Sequence, residues 1–130
     1  MRSLIVEDEF TSRMQIKYFL EEYGSCDIAV NGREAVKAYK MAIAENKPYN
    51  LICLDIKLPE KDGHWALKEI RNLEEDMGKS PEHPVIIFMT TAMADAKNVY
   101  GTQRLCNEYL LKPIEKEMLD ERLRKHNLIR

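Results

Sequence analysis

The feature that most constrains this chain is an alternation. Five short apolar runs are separated by stretches whose apolar residues recur at helical spacing. The runs are Leu4-Ile5-Val6, Cys26 to Val30, Leu51 to Leu54, Val85 to Met89, and Tyr109-Leu110-Leu111. Each is strand-length and nearly unbroken, the pattern of strands covered on both faces. Between them, Ile16, Phe19, Leu20 and Tyr23 follow an i, i+3, i+4, i+7 spacing that Gly24 closes. Ala35, Ala38, Tyr39 and Ala42 line a second helix, closed by Lys47-Pro48. A third carries Trp65, Ala66, Leu67 and Ile70, and the polar stretch Glu74 to Pro84 reads as an extended surface loop. A short helix is expected within Asp95 to Cys106, and a last one over about Glu115 to Asn127 through Met118, Leu119 and Leu123. Strand–helix alternation of this kind predicts an α/β fold, (βα)5, with an open parallel sheet and helices on both faces.

At 130 residues the chain is expected to form a single domain, 1–130, with no output domain. A formal net charge of −2 offers no basic footprint for nucleic acid or anionic lipid. No window approaches the roughly 20 apolar residues of a membrane span, and the acidic Glu7-Asp8-Glu9 interrupts the first run too early for a signal peptide. Cys26, Cys53 and Cys106 make no zinc spacing, and an odd count favours a reducing cytoplasm.

In open α/β sheets, ligands bind beyond the carboxyl ends of the strands. Here those ends carry Glu7 and Asp8 after the first run, Asp55 after the third, Thr91 after the fourth and Lys112 after the fifth. Carboxylates ~4 Å apart repel by about 1 kcal/mol in water and about 4 at an effective dielectric near 20. A hard divalent cation with oxygen ligands removes that conflict, and Mg²⁺ suits a site with few protein ligands. Carboxylate nucleophile, metal, ammonium and hydroxyl together fit phosphoryl transfer, where positioning and charge neutralisation dominate.

The chain resembles the receiver domain of two-component response regulators over essentially its whole length. The resemblance rests on Leu-Ile-Val-Glu-Asp-Glu (4–9), Leu-Asp-Ile-Lys-Leu-Pro-Glu-Lys-Asp-Gly (54–63), Thr-Ala (91–92) and Tyr-Leu-Leu-Lys-Pro (109–113). It implies a flavodoxin-like doubly wound sheet of strand order 2-1-3-4-5. It implies Asp55 as phosphoacceptor from a phosphohistidine donor. Asp8, Asp55 and the backbone carbonyl of Lys57 would hold Mg²⁺ directly, and Glu7 would reach it through a metal-bound water or bind it directly in place of that water. Lys112 would pair with Asp55 and then with the phosphoryl oxygens, Thr91 would hydrogen-bond the phosphoryl group, and Tyr109 would report the state by its rotamer. The Lys112-Pro113 peptide matches one that is cis in the family. Such a chain catalyses only its own phosphorylation and dephosphorylation. Its partners would be a histidine kinase or phosphotransfer protein upstream and an unidentified protein downstream, met on the face of the fourth helix, fifth strand and fifth helix.

Plainer readings apply to several neighbours. Glu9 and Asp62-Gly63 read as helix-start signals, and Thr90 should point to the side of its strand opposite Thr91. His64, His83 and His126 read as surface residues and the seven methionines as core filler. Lys57 and Met93 would flank the phosphoryl entrance and lengthen its lifetime, and Leu105-Cys106 replaces a family Gly-Ala pair. Two other classes compete. A phosphate-independent interaction module would have lost Asp55 or Lys112. A flavodoxin-like FMN protein needs a Ser/Thr/Gly-rich loop where Glu7-Asp8-Glu9 stands.

Overall fold

The structure, a computed structural model, describes residues 1–77, 84–92 and 104–130. The strands are β1 (Arg2–Val6), β2 (Ser25–Ala29), β3 (Leu51–Asp55), β4 (Ile86–Thr91) and β5 (Glu108–Leu111). The helices among the described residues are α1 (Phe10–Glu21), α2 (Gly32–Ala44), α3 (Gly63–Asp76) and α4 (Lys116–Lys125). All pairings are parallel, in the order β2-β1-β3-β4-β5. Of the helix expected over 95–106 only 104–106 are described, and they form a turn. Met93 and His83 also lie outside the described residues.

Strand alternation splits the core between the two faces of the sheet. Leu4, Val6, Ile52, Leu54, Ile87 and Met89 pack with Ala35, Tyr39, Leu67 and Ile70 of α2 and α3. Ile5, Leu51, Cys53, Phe88 and Leu110 pack with Ile16 and Leu20 of α1 and Leu119 and Leu123 of α4. Every residue of β3 is buried, which is why its run reads as unbroken apolar. Each fully buried large aliphatic side chain contributes about 1.5–3 kcal/mol of transfer free energy.

Side chains at the helix starts fix where the loops end. Glu9 caps α1 by accepting from the Thr11 and Ser12 amides at 3.1 and 2.6 Å. Asn31 caps α2 through Glu34 N–H at 2.8 Å, and Asp62 caps α3 through Trp65 N–H at 2.9 Å. Gly63 is required by packing: a Cβ there would lie 2.1 Å from the Asp55 carbonyl oxygen. The start of α3 is thereby pressed against the end of β3. The Lys112–Pro113 peptide is cis, as the resemblance implied.

Three expectations need correction. Glu74 is not loop: α3 runs through it to Asp76, and its carboxylate is buried at 6% exposure. Arg71 Nη1 donates to Glu74 Oε1 at 2.7 Å, and the Val85 amide donates to Glu74 Oε2 at 3.0 Å, so the buried charge is matched. His126 is half-buried, tilted against the Phe88 ring at 5.6 Å between centroids and bonded to Glu108 Oε2 at 2.8 Å. His64 is likewise half-buried. Methionines divide: Met89 is core, whereas Met14, Met41 and Met77 are exposed.

Glu108, at the start of the edge strand β5, is gripped by the end of α4. Arg122 Nε, Lys125 Nζ and His126 Nε2 approach it at 3.1, 3.0 and 2.8 Å. Burial alone would raise its pKa, but the His126 hydrogen bond and the cations of Lys125 and Arg122 outweigh this and hold it below the usual carboxylate range. A lowered folded-state pKa means that this stability is present above the unfolded value and lost as pH falls through the folded one. Glu108→Gln should therefore lower the urea midpoint at pH 7, and the gap to the unmodified chain should close towards pH 3. A gap of constant size would show that the charge is not what Glu108 contributes.

Candidate functional site

Parallel pairing puts the carboxyl ends of β1, β3, β4 and β5 on one rim, and in the order 2-1-3 the direction in which strands are added to the sheet reverses between β1 and β3. Glu7 and Asp8 follow β1 directly, and the Glu7 amide still bonds to the Ala29 carbonyl at 3.1 Å. Asp55 is the last residue of β3, level with Thr90 of β4. Thr91 ends β4, and its carbonyl accepts from the Lys112 amide at 2.8 Å, which sets Lys112 just past β5.

Glu7, Asp8 and Asp55 can each offer one carboxylate oxygen such that all lie within 4.8 Å of one another. Glu7 and Asp55 are buried at 1% and 5% exposure, and Asp8 is exposed. Lys112 Nζ donates to Asp55 Oδ2 at 2.9 Å and to Glu7 Oε1. The other Asp55 oxygen, Oδ1, accepts from the Lys57 amide at 3.4 Å, and Glu7 Oε2 accepts from the Glu9 amide at 3.2 Å. Burial, helped by the Asp55 carboxylate and opposed by Lys112, pushes the Glu7 carboxyl up to about 7. Burial would depress Lys112, but Glu7 and Asp55 together hold its ammonium above its usual value. One ammonium does not balance the negative charge of this rim. Three carboxylates with hard oxygen donors fit a divalent cation such as Mg²⁺.

The rim therefore gathers Glu7, Asp8, Asp55 and Lys112 into direct contact range. Thr91 is beside them but engaged elsewhere, since its Oγ1 donates to the Ala92 carbonyl at 3.1 Å. Tyr109 is half-buried against the core under α2 and α3, and the Lys57 side chain is exposed. Beside Lys112, a hollow of about 250 Å³ opens between α1 and the β5–α4 loop, lined by Ser12, Gln15, Ile16, Lys112, Pro113 and Ile114.

Sequence reasoning missed two contacts. It paired Lys112 with Asp55 alone, whereas the longer arm of Glu7 reaches the same ammonium. It also passed over Arg13, whose Nη1 donates to the Glu7 carbonyl at 3.2 Å and the Asp8 carbonyl at 3.5 Å. The signal was present: a cation near the start of a helix opposes the macrodipole, so a specific partner should hold it there.

A family model described as the response regulator receiver domain matches residues 3–124. The chain belongs to that family. The chemotaxis protein CheY of Bacillus subtilis is 33% identical over 127 residues, covering 95% of this chain and 95% of CheY. The receiver domain of Saccharomyces cerevisiae Ssk1, solved in complex with the histidine phosphotransfer protein Ypd1, is 32% identical with a TM-score of 0.75, covering 94% and 85% of the two chains. The receiver domain of a Pseudomonas aeruginosa PAO1 sensor histidine kinase, solved with a magnesium ion coordinated in its active site cleft, is 28% identical with a TM-score of 0.69, covering 95% and 94%. The chain spans only 10%, 6% and 12% of the histidine kinases among its curated relatives, and about half of the transcriptional regulators. It is a receiver domain of two-component signalling, a family whose members take phosphoryl groups from histidine kinases or phosphotransfer proteins. Receiver domains act as switches and not as conventional enzymes. Among the described residues no helix is long and apolar enough to cross a membrane.

Proposed function

We propose that this receiver takes a phosphoryl group from a phosphohistidine donor onto Asp55, in a Mg²⁺-dependent reaction, and thereby changes its affinity for a partner protein. The observation that carries this reading is the set of three carboxylates with oxygens within 4.8 Å and a single ammonium 2.9 Å from Asp55. An Asp55 carboxylate oxygen forms the new bond to phosphorus as the bond to the donor's imidazole nitrogen breaks, and that nitrogen leaves with the electron pair. Asp8, Asp55, Glu7 and the Lys57 carbonyl are the groups that would hold Mg²⁺. The bound ion supplies charge neutralisation for the carboxylates and the phosphoryl oxygens.

Lys112 stays with Asp55 through the transfer and turns its ammonium to the phosphoryl oxygens, as a compact mobile cation can. The Lys57 amide, already 3.4 Å from Asp55 Oδ1, is a fixed donor on the same carboxylate. Thr91 gives up its bond to the Ala92 carbonyl to donate to the phosphoryl group. The Tyr109 ring, on the next strand, follows into the space so made. These movements bias a two-state population. The output face includes β5 and α4, met by a downstream protein, and the donor is a histidine kinase or phosphotransfer protein.

The test is incubation with a small-molecule phosphodonor and Mg²⁺, read by intact mass for the unmodified chain and for Asp55→Asn. The expected result is one added phosphoryl group on the unmodified chain, none on the variant and none in EDTA. A gain that survives in Asp55→Asn, or no gain in either, removes the reading.

A further inference from the structure

We infer that Arg13 is a positioning residue for the metal site: by bridging the backbone carbonyls of Glu7 and Asp8 it fixes the loop that presents their carboxylates. The inference rests on the Mg²⁺-dependent reading above and concerns a residue that touches neither ion nor phosphoryl group.

The β1 ladder ends at Val6, which pairs with Ala29 and Leu54, so the carbonyls of Glu7 and Asp8 lie beyond regular pairing. A loop of that kind is free to twist unless something binds those oxygens. Arg13 sits one turn into α1, its amide bonded to the Glu9 carbonyl at 3.0 Å. Helical side chains lean towards the N-terminus of their helix, which aims the guanidinium back at residues 7 and 8. Its Nη1 meets both carbonyls, at 3.2 and 3.5 Å. The Phe10 ring lies under the same guanidinium, 5.4 Å from the ring centroid. That contact gives a use to a phenylalanine left 65% exposed. Glu9 caps the helix between them, so carbonyl bridge, cap and ring hold the six residues from Glu7 to Ser12 as one turn.

The bridge and the charge of Arg13 act on a cation with opposite signs. As a nearby positive charge, Arg13 weakens Mg²⁺ binding, and its removal should tighten it. As a clamp on the ligand-bearing loop it strengthens binding, and its removal should weaken it. Removing groups that orient metal ligands costs about 10–100-fold in metal affinity, well beyond what one screened surface charge contributes. The clamp should win.

The experiment is calorimetric titration with Mg²⁺ alone of the unmodified chain, Arg13→Ala and Arg13→Lys, with circular dichroism confirming that each is folded at the titration temperature. Arg13→Ala should bind Mg²⁺ about tenfold or more weakly. Arg13→Lys, which keeps the charge but ends one atom short of the Nη1 position that meets both carbonyls, should also be weakened. Excess Mg²⁺ should return the phosphoryl uptake of both variants towards that of the unmodified chain, a recovery that general damage to the fold would not allow. Tighter or unchanged binding by Arg13→Ala overturns the inference while leaving the proposed function intact. Absence of Mg²⁺ binding by the unmodified chain overturns both. If Arg13→Ala does not fold, Arg13→Lys decides alone: weaker binding supports the clamp, and unchanged binding overturns it.

Discussion

Lys112→Ala is expected to cost the metal-free fold about 3–5 kcal/mol at pH 8, the usual range when one partner of a buried ion pair is removed. Its ammonium bonds to Asp55 and Glu7, whose side chains are 7% and 1% exposed. The cost should shrink on acidification, and the sign follows from Glu7. Its carboxyl, held up to about 7 in the folded chain, titrates near 4.5 when unfolded. Between those values the folded state binds more protons, so the Glu7 contribution to stability falls as pH rises through the window. Lys112 is the group that opposes this rise; without it the window extends upward and the fall is larger. Urea midpoints in EDTA at pH 5 and pH 8 should therefore diverge more for Lys112→Ala than for the unmodified chain. Equal slopes with pH would mean that Glu7 is not buried beside Asp55 as described. Added Mg²⁺ should recover much of the loss by a direct effect of binding to the folded state.

Arg71→Met is expected to be comparably damaging, again by about 3–5 kcal/mol, although Arg71 lies at the opposite end of the sheet, beside the starts of β4 and β5. Its guanidinium joins three parts of the chain. Nη1 reaches Glu74 at 2.7 Å and the Val85 carbonyl at 3.0 Å, Nε reaches the Leu105 carbonyl at 2.7 Å, and Nη2 reaches Asn107 Oδ1 at 3.2 Å. Methionine keeps the apolar stem but strands the buried Glu74 carboxylate and those carbonyls. Against a total stability of about 5–15 kcal/mol for a domain, the loss is large. Glu74→Gln, which still offers an acceptor to the Val85 amide, should cost less. The double replacement Arg71→Met with Glu74→Leu should recover part of the loss, because no charge remains buried. Urea denaturation with an unchanged m-value measures each. A single-variant loss under about 1 kcal/mol would put the network on the side of surface ion pairs.

The site was legible because its residues stand next to unmistakable landmarks. Asp55 follows Leu51 to Leu54 without a break, Lys112 follows Leu110-Leu111, and parallel pairing then brings ends distant in sequence to one rim. The strand order followed from family resemblance, since crossover rules alone permit several. What stayed hidden was side-chain reach. Nothing local shows that Glu7 extends to Lys112, or that the Arg71 guanidinium spans to Leu105 and Asn107 more than thirty positions later. Glu74 was misread because its polarity outweighed its spacing: it falls four residues after Ile70, on the core side of the same helix. The start of α1 was legible from the Glu9 cap, even though the exposed Phe10 and Met14 add nothing to the apolar spacing.

The close approach of Gly63 to the Asp55 carbonyl has a mechanical consequence. Asp55 ends a strand flanked on both sides, and its backbone is wedged against α3 with no space for even a methyl group. Asp55, the proposed acceptor, is thus mounted at a tightly packed point, where added charge would produce force but little travel. Displacement has to appear where the framework is compliant. That is β5, four residues long and held along one border only, which carries Tyr109 and leads into Lys112. Stiff anvil and yielding margin lie within one sheet, and the distance between them is two strands.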